Sequence, residues 1–343
     1  MFSRPIKALF FGLRAFVSVA FACVQLGLVH AAPARLTVLT SDDMAPHMEF
    51  VQQLRATLEP GSRIDVVRLP RGGGAVAELG LQAGDGSSPV NAGVVTRGIR
   101  PPAPVNMPDT LVIAVGANAA RTAIERESNE TLLLAMLSRL DYESLKSHPA
   151  MKRTDRRVGV LLRDPSMADQ LALVNAALPQ RRRLGVVTTA ESEPLLRDLE
   201  RAAQGWSLQV ETAPDVQSIA PALNGVLPRS DALIVLPDLI GDNQAATLAV
   251  LRAAAGAGVP VFGASDGMVR SGGLAAAVST PSQLALQARA LGHKVALGPS
   301  GVTMVEDATP ATVRVNSNVA RGLGLRLPDE RELTQRVTGT GAR

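Results

Sequence analysis

Short apolar runs alternate along the chain with amphipathic segments of helical length. This alternation is typical of βαβ units built around parallel sheets. Ten runs are too many for one small doubly wound sheet, so the pattern predicts an α/β protein with two Rossmann-like lobes. The runs are LTVLT at 36, DVVRL at 65, LVIAV at 111, TLLLAM at 131, VGVLL at 158, LGVVTT at 184, LQVETA at 208, ALIVLP at 232, VPVFGA at 259 and LAAAVST at 274.

The segments between these runs predict helices, and one stretch breaks the pattern. The clearest helices are APHMEFVQQLRATLE at 45, MADQLALVNAAL at 167, ESEPLLRDLERAAQ at 191, QAATLAVLRAAAGA at 244 and TPSQLALQARALGHKVAL at 280. Residues 71–108 are rich in Gly and Pro and show little periodicity. We expect these residues to form a long surface insertion.

The first 31 residues have the pattern of a secretory signal. Arg4, Lys7 and Arg14 lead into the uncharged run AFVSVAFACVQLGLV, and the residues 29–31 (VHA) resemble a cleavage site. The uncharged run is shorter than the roughly 20 residues that a helix needs to span a bilayer. The pattern therefore predicts a cleaved signal peptide, residues 1–31, and a mature protein in the periplasm.

Removal of residues 1–31 would change the net charge of the chain and the side-chain chemistry available to it. The formal charge of +4 would fall to +1, which removes the main argument for nucleic-acid binding. The only cysteine, Cys23, lies in the segment, so the mature chain would have no disulfide and no cysteine metal site. The histidines are scattered without metal-ligand spacing, and no glycine-rich loop has a complete phosphate-binding motif. We expect no metal and no cofactor.

One motif suggests a hydrolase. The segment from Gly263 to Gly267 matches G-x-S-x-G, the turn that presents a nucleophilic serine, here Ser265. A triad in that order needs an acid and then a histidine downstream, but only His293 follows, and the only carboxylate between them is Asp266. A carboxylate adjacent to the serine cannot orient the histidine that serves it. The sequence therefore predicts no catalytic residues and a protein that is not an enzyme.

Small polar residues follow several predicted strands, which suggests a ligand site. In open α/β sheets, ligands bind outside the carboxyl ends of the strands. For each residue, an ordinary helix cap remains the alternative to ligand binding. Asp238 or Asp266 could meet a cationic group, while Ser41, Asn118, Thr189 and Ser265 with nearby N–H groups could bind a carboxylate or hydroxyls. The candidates taken from strand ends are Ser41, Asp42, Asn118, Ser138, Thr189, Asp238, Ser265 and Asp266.

The C-terminal third resembles the ABC transporter substrate-binding protein family, which includes tryptophan/tyrosine-type periplasmic binders. The similarity rests on DALIVLPD, on VPVFGASDGMVRSGGLAAAVSTPSQLALQA, and above all on V-N-x-x-x-A-x-x-L-G-L-x-[IL]-P from Val315 to Pro328. Asn243 also matches a position that is often Asn in one branch of this family, and it joins the candidate ligand-binding residues.

The resemblance implies a type I periplasmic binding fold, with two α/β lobes joined by three crossovers. Lobe one would comprise residues 36–152 and 266–297, and lobe two residues 153–265 and 298–335. A monomer would bind a small polar, amino-acid-like ligand between the lobes and present it to an inner-membrane ABC permease. The alternative that stays open is a ligand-free sensor or interaction module of the same fold in the cell envelope.

Overall fold

Two parallel sheets form the framework of the protein in the computed structural model, which describes residues 35–58, 62–70, 110–263 and 265–340. The predicted signal peptide and the predicted insertion at 71–108 lie outside these residues. All described residues belong to one compact unit. The described strands are β1 (Arg35–Thr40), β2 (Arg63–Arg68), β3 (Thr110–Val115), β4 (Thr131–Leu137), β5 (Val158–Pro165), β6 (Arg183–Thr188), β7 (Ser207–Thr212), β8 (Ala232–Ile234), β9 (Val261–Gly263), β10 (Ala275–Val278), β11 (Thr303–Ala308) and β12 (Thr312–Val315).

Helices fill most of the connections between these strands. Short 3-10 helices cover Pro149–Lys152, Ala190–Ser192, Val216–Ser218 and Leu227–Arg229. None of the helices within the described ranges is both long and apolar enough to cross a membrane. The α-helices are α1 (Ala45–Ala56), α2 (Ala117–Glu125), α3 (Arg139–Lys146), α4 (Met167–Ala177), α5 (Glu193–Ala202), α6 (Ile219–Val226), α7 (Gln244–Gly256), α8 (Asp266–Arg270), α9 (Pro281–Leu297), α10 (Ser317–Gly322) and α11 (Glu330–Thr340).

Each sheet is the centre of one lobe. The strand order is β11-β5-β4-β3-β1-β2 in the first sheet and β12-β10-β9-β8-β6-β7 in the second. All pairings are parallel except that of β10 with β12. We call the elements around the first sheet lobe one and those around the second sheet lobe two. The two-lobed α/β fold predicted from the sequence is confirmed.

Apolar residues cover both faces of each sheet. In lobe one, α1 and α9 pack on one face around Phe50 and Leu291, while α2 and α3 pack on the other around Ile124 and Tyr142. In lobe two, α4, α5 and α11 cover one face, and α6, α7 and α8 cover the other. Strands buried on both faces read as continuous apolar runs, which explains why the central strands of each sheet could be identified from the sequence.

Three crossovers join the lobes, as predicted, but the chain changes sheet later than the predicted boundaries. The changes occur between β5 and α4, between β10 and α9, and between β11 and β12, whereas the boundaries were placed after residues 152, 265 and 297. The first boundary was placed within the charged stretch 148–157 because such a stretch is typical of a linker. It is not a linker here, since Arg156 is buried and donates to the carbonyl of Ala123 at the end of α2. Burial lowers the pKa of Arg156 to about 10.

The segment from Val315 to Pro328, which carries the family resemblance, has a structural role in lobe two. Asn316 caps α10 by accepting from the N–H groups of Asn318 and Val319. Its amide nitrogen also donates to the carbonyl of Val269 in α8 at 2.9 Å. This asparagine therefore fixes α10 against α8.

Candidate ligand-binding site

Each described sheet has one switch point, where the connections that follow two neighbouring strands run to opposite faces of the sheet. It lies between β1 and β3 in lobe one and between β6 and β8 in lobe two. In open α/β sheets the helix connections diverge there, and a crevice forms at the carboxyl ends of the strands. Ser41 follows β1 and Thr189 follows β6, so the topology places both at switch points.

Ser41, Asp42 and Gly116 form the switch point of lobe one. The Oγ atom of Ser41 is buried and has no hydrogen-bond partner among the described residues. Asp42 accepts from the backbone N–H of Met44, and its carboxylate lies 2.8 Å from Nδ1 of His47. The ring of His47 lies so close to Gly116 that a Cβ there would approach its Cε1 atom to 2.6 Å. Only glycine fits this position, because its φ of 83° is also in the left-handed region.

Asn118 lies in the first turn of α2, immediately after this switch point, and is exposed. Its side chain makes no hydrogen bond within the described residues, while its carbonyl accepts from Thr122 at 3.2 Å. The structure therefore brings Ser41, Asp42 and Asn118 to one end of the lobe-one sheet. Sequence reasoning missed His47, because the pairing of a histidine with an aspartate five residues earlier is visible only in the folded turn.

Thr189 and Asp238 meet at the switch point of lobe two through Ser192. The Oγ atom of Ser192 lies 2.9 Å from Thr189 Oγ1 and donates to Asp238 Oδ2 in a short contact. Asp238 Oδ1 accepts from the backbone N–H groups of Ile240 and Gly241 at 2.9 and 3.2 Å. The carboxyl group is only 2% exposed, and this burial raises its pKa, although the hydrogen bond from Ser192 acts in the opposite direction. Ser192 and the backbone of the loop that follows Asp238 thus occupy both oxygens.

Three further candidates cap helices. Ser138 forms a reciprocal capping box with Asp141 at the start of α3. Asn243 accepts from Ala246 N–H at 2.9 Å, and Ser265 accepts from Met268 N–H at 3.2 Å. The G-x-S-x-G turn therefore carries a serine that starts α8.

Asp266 lies next to Ser265 on the surface of lobe two. It forms a short ion pair with Arg270 of the same helix and a second ion pair with Arg314 at 3.7 Å. These two guanidinium groups already neutralise the carboxylate that the sequence suggested for a cationic group.

A cavity of about 390 Å3 lies between the lobes beside the crossovers. Lobe one contributes Asp164 at the end of β5 and Asp307 at the end of β11, while lobe two contributes Pro237 after β8 and Asp198 in α5. Carboxyl ends of strands from both sheets therefore border one space. Sequence reasoning missed Asp164, although Asp-Pro-Ser at 164–166 has the same strand-end pattern as the chosen residues.

Burial shapes the electrostatics of this cavity. Desolvation raises the pKa of Asp164 to about 6, against the attraction of the adjacent Arg163. Desolvation also raises the pKa of Asp307, and the positive charge of Arg139 partly opposes this shift. A positive charge placed in the cavity would stabilise the ionised form of both carboxyl groups.

Within the described part of the chain, two ion pairs connect the lobes. Arg139 of α3 reaches Asp198 of α5 at 2.6 Å, and Arg163 of β5 reaches Asp242 at 2.6 Å. Arg139 follows a bulge in β4, where Met136 adopts a left-handed φ of 61°. A bulge redirects the chain that follows it, here toward lobe two. The lobes therefore touch through charged side chains.

Two parallel-sheet lobes, three crossovers and a cavity at the carboxyl ends of the strands define the class of two-lobed binding proteins. A family model described as ABC transporter substrate binding protein matches residues 106–335. The chain belongs to this family, and the resemblance noted in the sequence is confirmed. The comparison with curated proteins finds no match.

Solved structures share the fold at low sequence identity. The ligand-free, open structure of CD0873 from Clostridium difficile, a substrate binding protein with adhesive properties, is 15% identical with a TM-score of 0.60, covering 86% of this chain and 96% of that one. The ABC domain from Streptococcus pneumonia in complex with L-Trp is 15% identical with a TM-score of 0.51 and the same coverage. A conserved domain protein from Vibrio cholerae is 17% identical with a TM-score of 0.53, covering 89% and 98%. These similarities establish the type I periplasmic binding fold.

Proposed function

We propose that the protein is the periplasmic solute-binding component of an ABC-type importer and binds a small polar, amino-acid-like ligand between its lobes. The observation that carries this proposal is the cavity bordered by strand ends of both sheets. A ligand in this position contacts both lobes and therefore stabilises the closed arrangement over the open one. The closed form would then be presented to an inner-membrane permease.

The described aromatic residues limit the class of ligand. Phe50 and Phe262 are fully buried in the cores, and Tyr142 of α3 is also buried. Trp206 lies under the guanidinium of Arg182, whose Cζ atom is 5.3 Å from the ring centroid, and it is not among the residues that line the cavity. The described cavity wall therefore has no aromatic ring to stack on a ligand, which favours polar or aliphatic compounds over aromatic ones.

The site residues of this proposal come from both lobes. Ser41, Asp42 and Asn118 would contribute from lobe one and Thr189 from lobe two, all from strand ends outside the lining of the cavity. Asp238 would act indirectly, since Ser192 and two backbone N–H groups occupy its oxygens. Asp164 and Asp307 add negative charge on the cavity wall. Ser138, Asn243, Ser265 and Asp266 would act indirectly, since helix caps and ion pairs occupy their side chains.

A thermal-shift screen of the purified protein against amino acids, other small organic acids and sugars tests the function. A ligand at a hundredfold excess over its Kd adds about 2.7 kcal/mol to the free energy of unfolding. For a protein of this size that corresponds to a midpoint increase of about 4 °C. A library in which no compound raises the midpoint would contradict the proposal.

A sensor or interaction module of the same fold is the second candidate. The observation in its favour is that the pairs Arg139–Asp198 and Arg163–Asp242 hold the lobes together by the protein's own charges. Such a module would keep the same scattering profile with every compound of the screen, whereas a solute-binding protein would become more compact with its ligand.

A further inference from the structure

Lobe two has a second cavity at the end of its sheet that faces away from the candidate ligand site. Its volume is about 490 Å3, larger than that of the cavity between the lobes. It is bordered by residues that directly precede β6, β8 and β9, which are parallel neighbours. We call it the base cavity, because it lies at the amino ends of these strands.

The size and the wall of the base cavity fit a small molecule. Small-molecule sites are cavities of roughly 300–1,000 Å3 with a mostly apolar wall and a few polar groups. Leu227 and Val259 contribute buried apolar side chains of the lobe-two core. Leu323, just after α10, is only partly buried and belongs to neither core cluster of this lobe. Its side chain is therefore available to pack on an apolar group.

The polar side of the base cavity carries an excess of positive charge. Arg181 and Arg183 border it, and Asp231 is the one carboxylate among the described residues that line it. Asp231 Oδ1 accepts from Arg183 at 2.7 and 3.2 Å, and its Oδ2 accepts from the backbone N–H groups of Arg182 and Arg183. The hydrogen bonds from Arg183 lower the pKa of Asp231 to about 2. Two guanidinium groups thus face one ionised carboxylate.

Arg181 is the cation that this carboxylate does not fully neutralise. Its guanidinium lies 3.7 Å from Asp231 Oδ1, its side chain is 53% exposed, and it has no other ionic partner among the described residues. A guanidinium group matches the two oxygens of a carboxylate in a bidentate geometry. A carboxylate also carries the one negative charge that balances this excess, whereas a phosphate monoester carries about −1.5 to −2.

We propose that the base cavity binds a small amphipathic carboxylate, with its carboxylate at Arg181 and its apolar body against Leu227, Val259 and Leu323. This site goes beyond the proposed solute-binding function, because it lies at the opposite end of lobe two from the cleft. A molecule in the base cavity and a solute between the lobes can therefore be bound at the same time.

Isothermal titration with three related compounds tests this site on the purified protein. The probes are octanoate, octanamide and acetate. We expect octanoate to bind saturably with one site per chain. Octanamide lacks the charge and should bind at least about tenfold more weakly, since hydrogen bonds to a charged acceptor contribute more than those to a neutral one. Acetate lacks the apolar body and should also bind at least about tenfold more weakly.

Two variants with matched controls locate the carboxylate and the apolar body. Arg181→Gln should raise the Kd of octanoate at least about 10-fold and leave that of octanamide nearly unchanged. Leu323→Ala should raise the Kd of both compounds. Arg197→Gln removes the same charge from an exposed position on α5, and Leu286→Ala shortens an exposed leucine on α9. Both controls should keep the wild-type Kd.

Asp231→Asn separates charge recognition from a structural role, because the expected effect has the opposite sign. The amide keeps an oxygen for the two backbone N–H groups and removes the competing negative charge. This variant should therefore bind octanoate about 3-fold or more tightly than the wild type, whereas a merely structural role of Asp231 would weaken binding.

The outcomes distinguish this site from the cleft and from a membrane contact. The assignment is overturned if octanoate gives no saturable heat, if its Kd is equal in the wild type, Arg181→Gln and Leu323→Ala, or if an amino acid displaces it. Binding to phosphatidylglycerol vesicles without binding of octanoate also overturns it. Binding of octanoate as described, with no compound of the solute screen bound in the cleft, supports the base cavity and overturns only the solute-binding function.

Discussion

Ionisation of Asp164 should lower the stability of the folded protein. Its side chain is 19% exposed at the cavity wall, and desolvation raises its pKa from the usual 3.8 to about 6. A carboxyl group with a raised pKa in the folded state holds its proton more tightly there than in the unfolded chain. The free energy of unfolding should therefore fall as the pH rises from about 4 to about 6.

The size of this effect follows from the pKa shift. A difference of about two pKa units corresponds to about 3 kcal/mol between the protonated and ionised forms. Asp164→Asn replaces the carboxyl with an amide of similar shape that does not ionise. Relative to the wild type, this variant should therefore gain about 3 kcal/mol of stability between pH 4 and pH 7.

Urea unfolding of the wild type and Asp164→Asn at a series of pH values measures this difference. Asp266→Asn is a suitable control, because Asp266 forms ion pairs on the protein surface and exposed pairs contribute about 0–1 kcal/mol. A stability difference between Asp164→Asn and the wild type that stays constant from pH 4 to pH 7 would refute the reasoning.

Two other substitutions test the network of lobe two and the contact between the lobes. Ser192→Ala leaves the buried Asp238 with one donor fewer and should lower the free energy of unfolding by about 1–3 kcal/mol in chemical denaturation; Ser218→Ala, on an exposed turn of the same lobe, should stay within about 0.5 kcal/mol of the wild type. Asp198→Asn weakens the ion pair with Arg139 and should increase the radius of gyration in small-angle scattering. An unchanged radius would show that this pair does not hold the lobes together.

The sequence predicted the framework well because the central strands are apolar on both faces. All ten apolar runs became β1 to β10. The edge strands β11 and β12 were not predicted, for two different reasons. Glu306 and Asp307 interrupt the apolar pattern of β11, which is only partly buried, and β12 has four residues in an antiparallel pairing.

The first lobe boundary was misplaced because the charged stretch 148–157 was taken for a linker. A charged stretch is typical of a linker, but Arg156 within it is buried and satisfies carbonyl groups at the end of α2. The real crossovers are short segments without a compositional signal. Ser279 donates to the carbonyl of Thr309 at 2.6 Å and connects two of them, a contact that no local pattern reveals.

The candidate site could be predicted in part. The strand-end rule identified Ser41, Thr189 and Asp238 at the two switch points, but it could not separate ligand contacts from helix caps, because the same residue types serve both purposes. Ser192 was missed because it lies inside a 3-10 helix and touches Asp238 only in the folded chain. The contact of Arg139 with Asp198 could not be predicted either, because it depends on a β-bulge in β4 and on the position of the other lobe.

Isothermal titration of L-amino acids into the purified protein tests the central claim most directly. The proposal predicts saturable binding of at least one amino acid with one site per chain, and a negative heat-capacity change as the lobes close and bury apolar surface. The absence of saturable heat for every amino acid up to millimolar concentration would contradict the claim that this cleft binds an amino-acid-like solute.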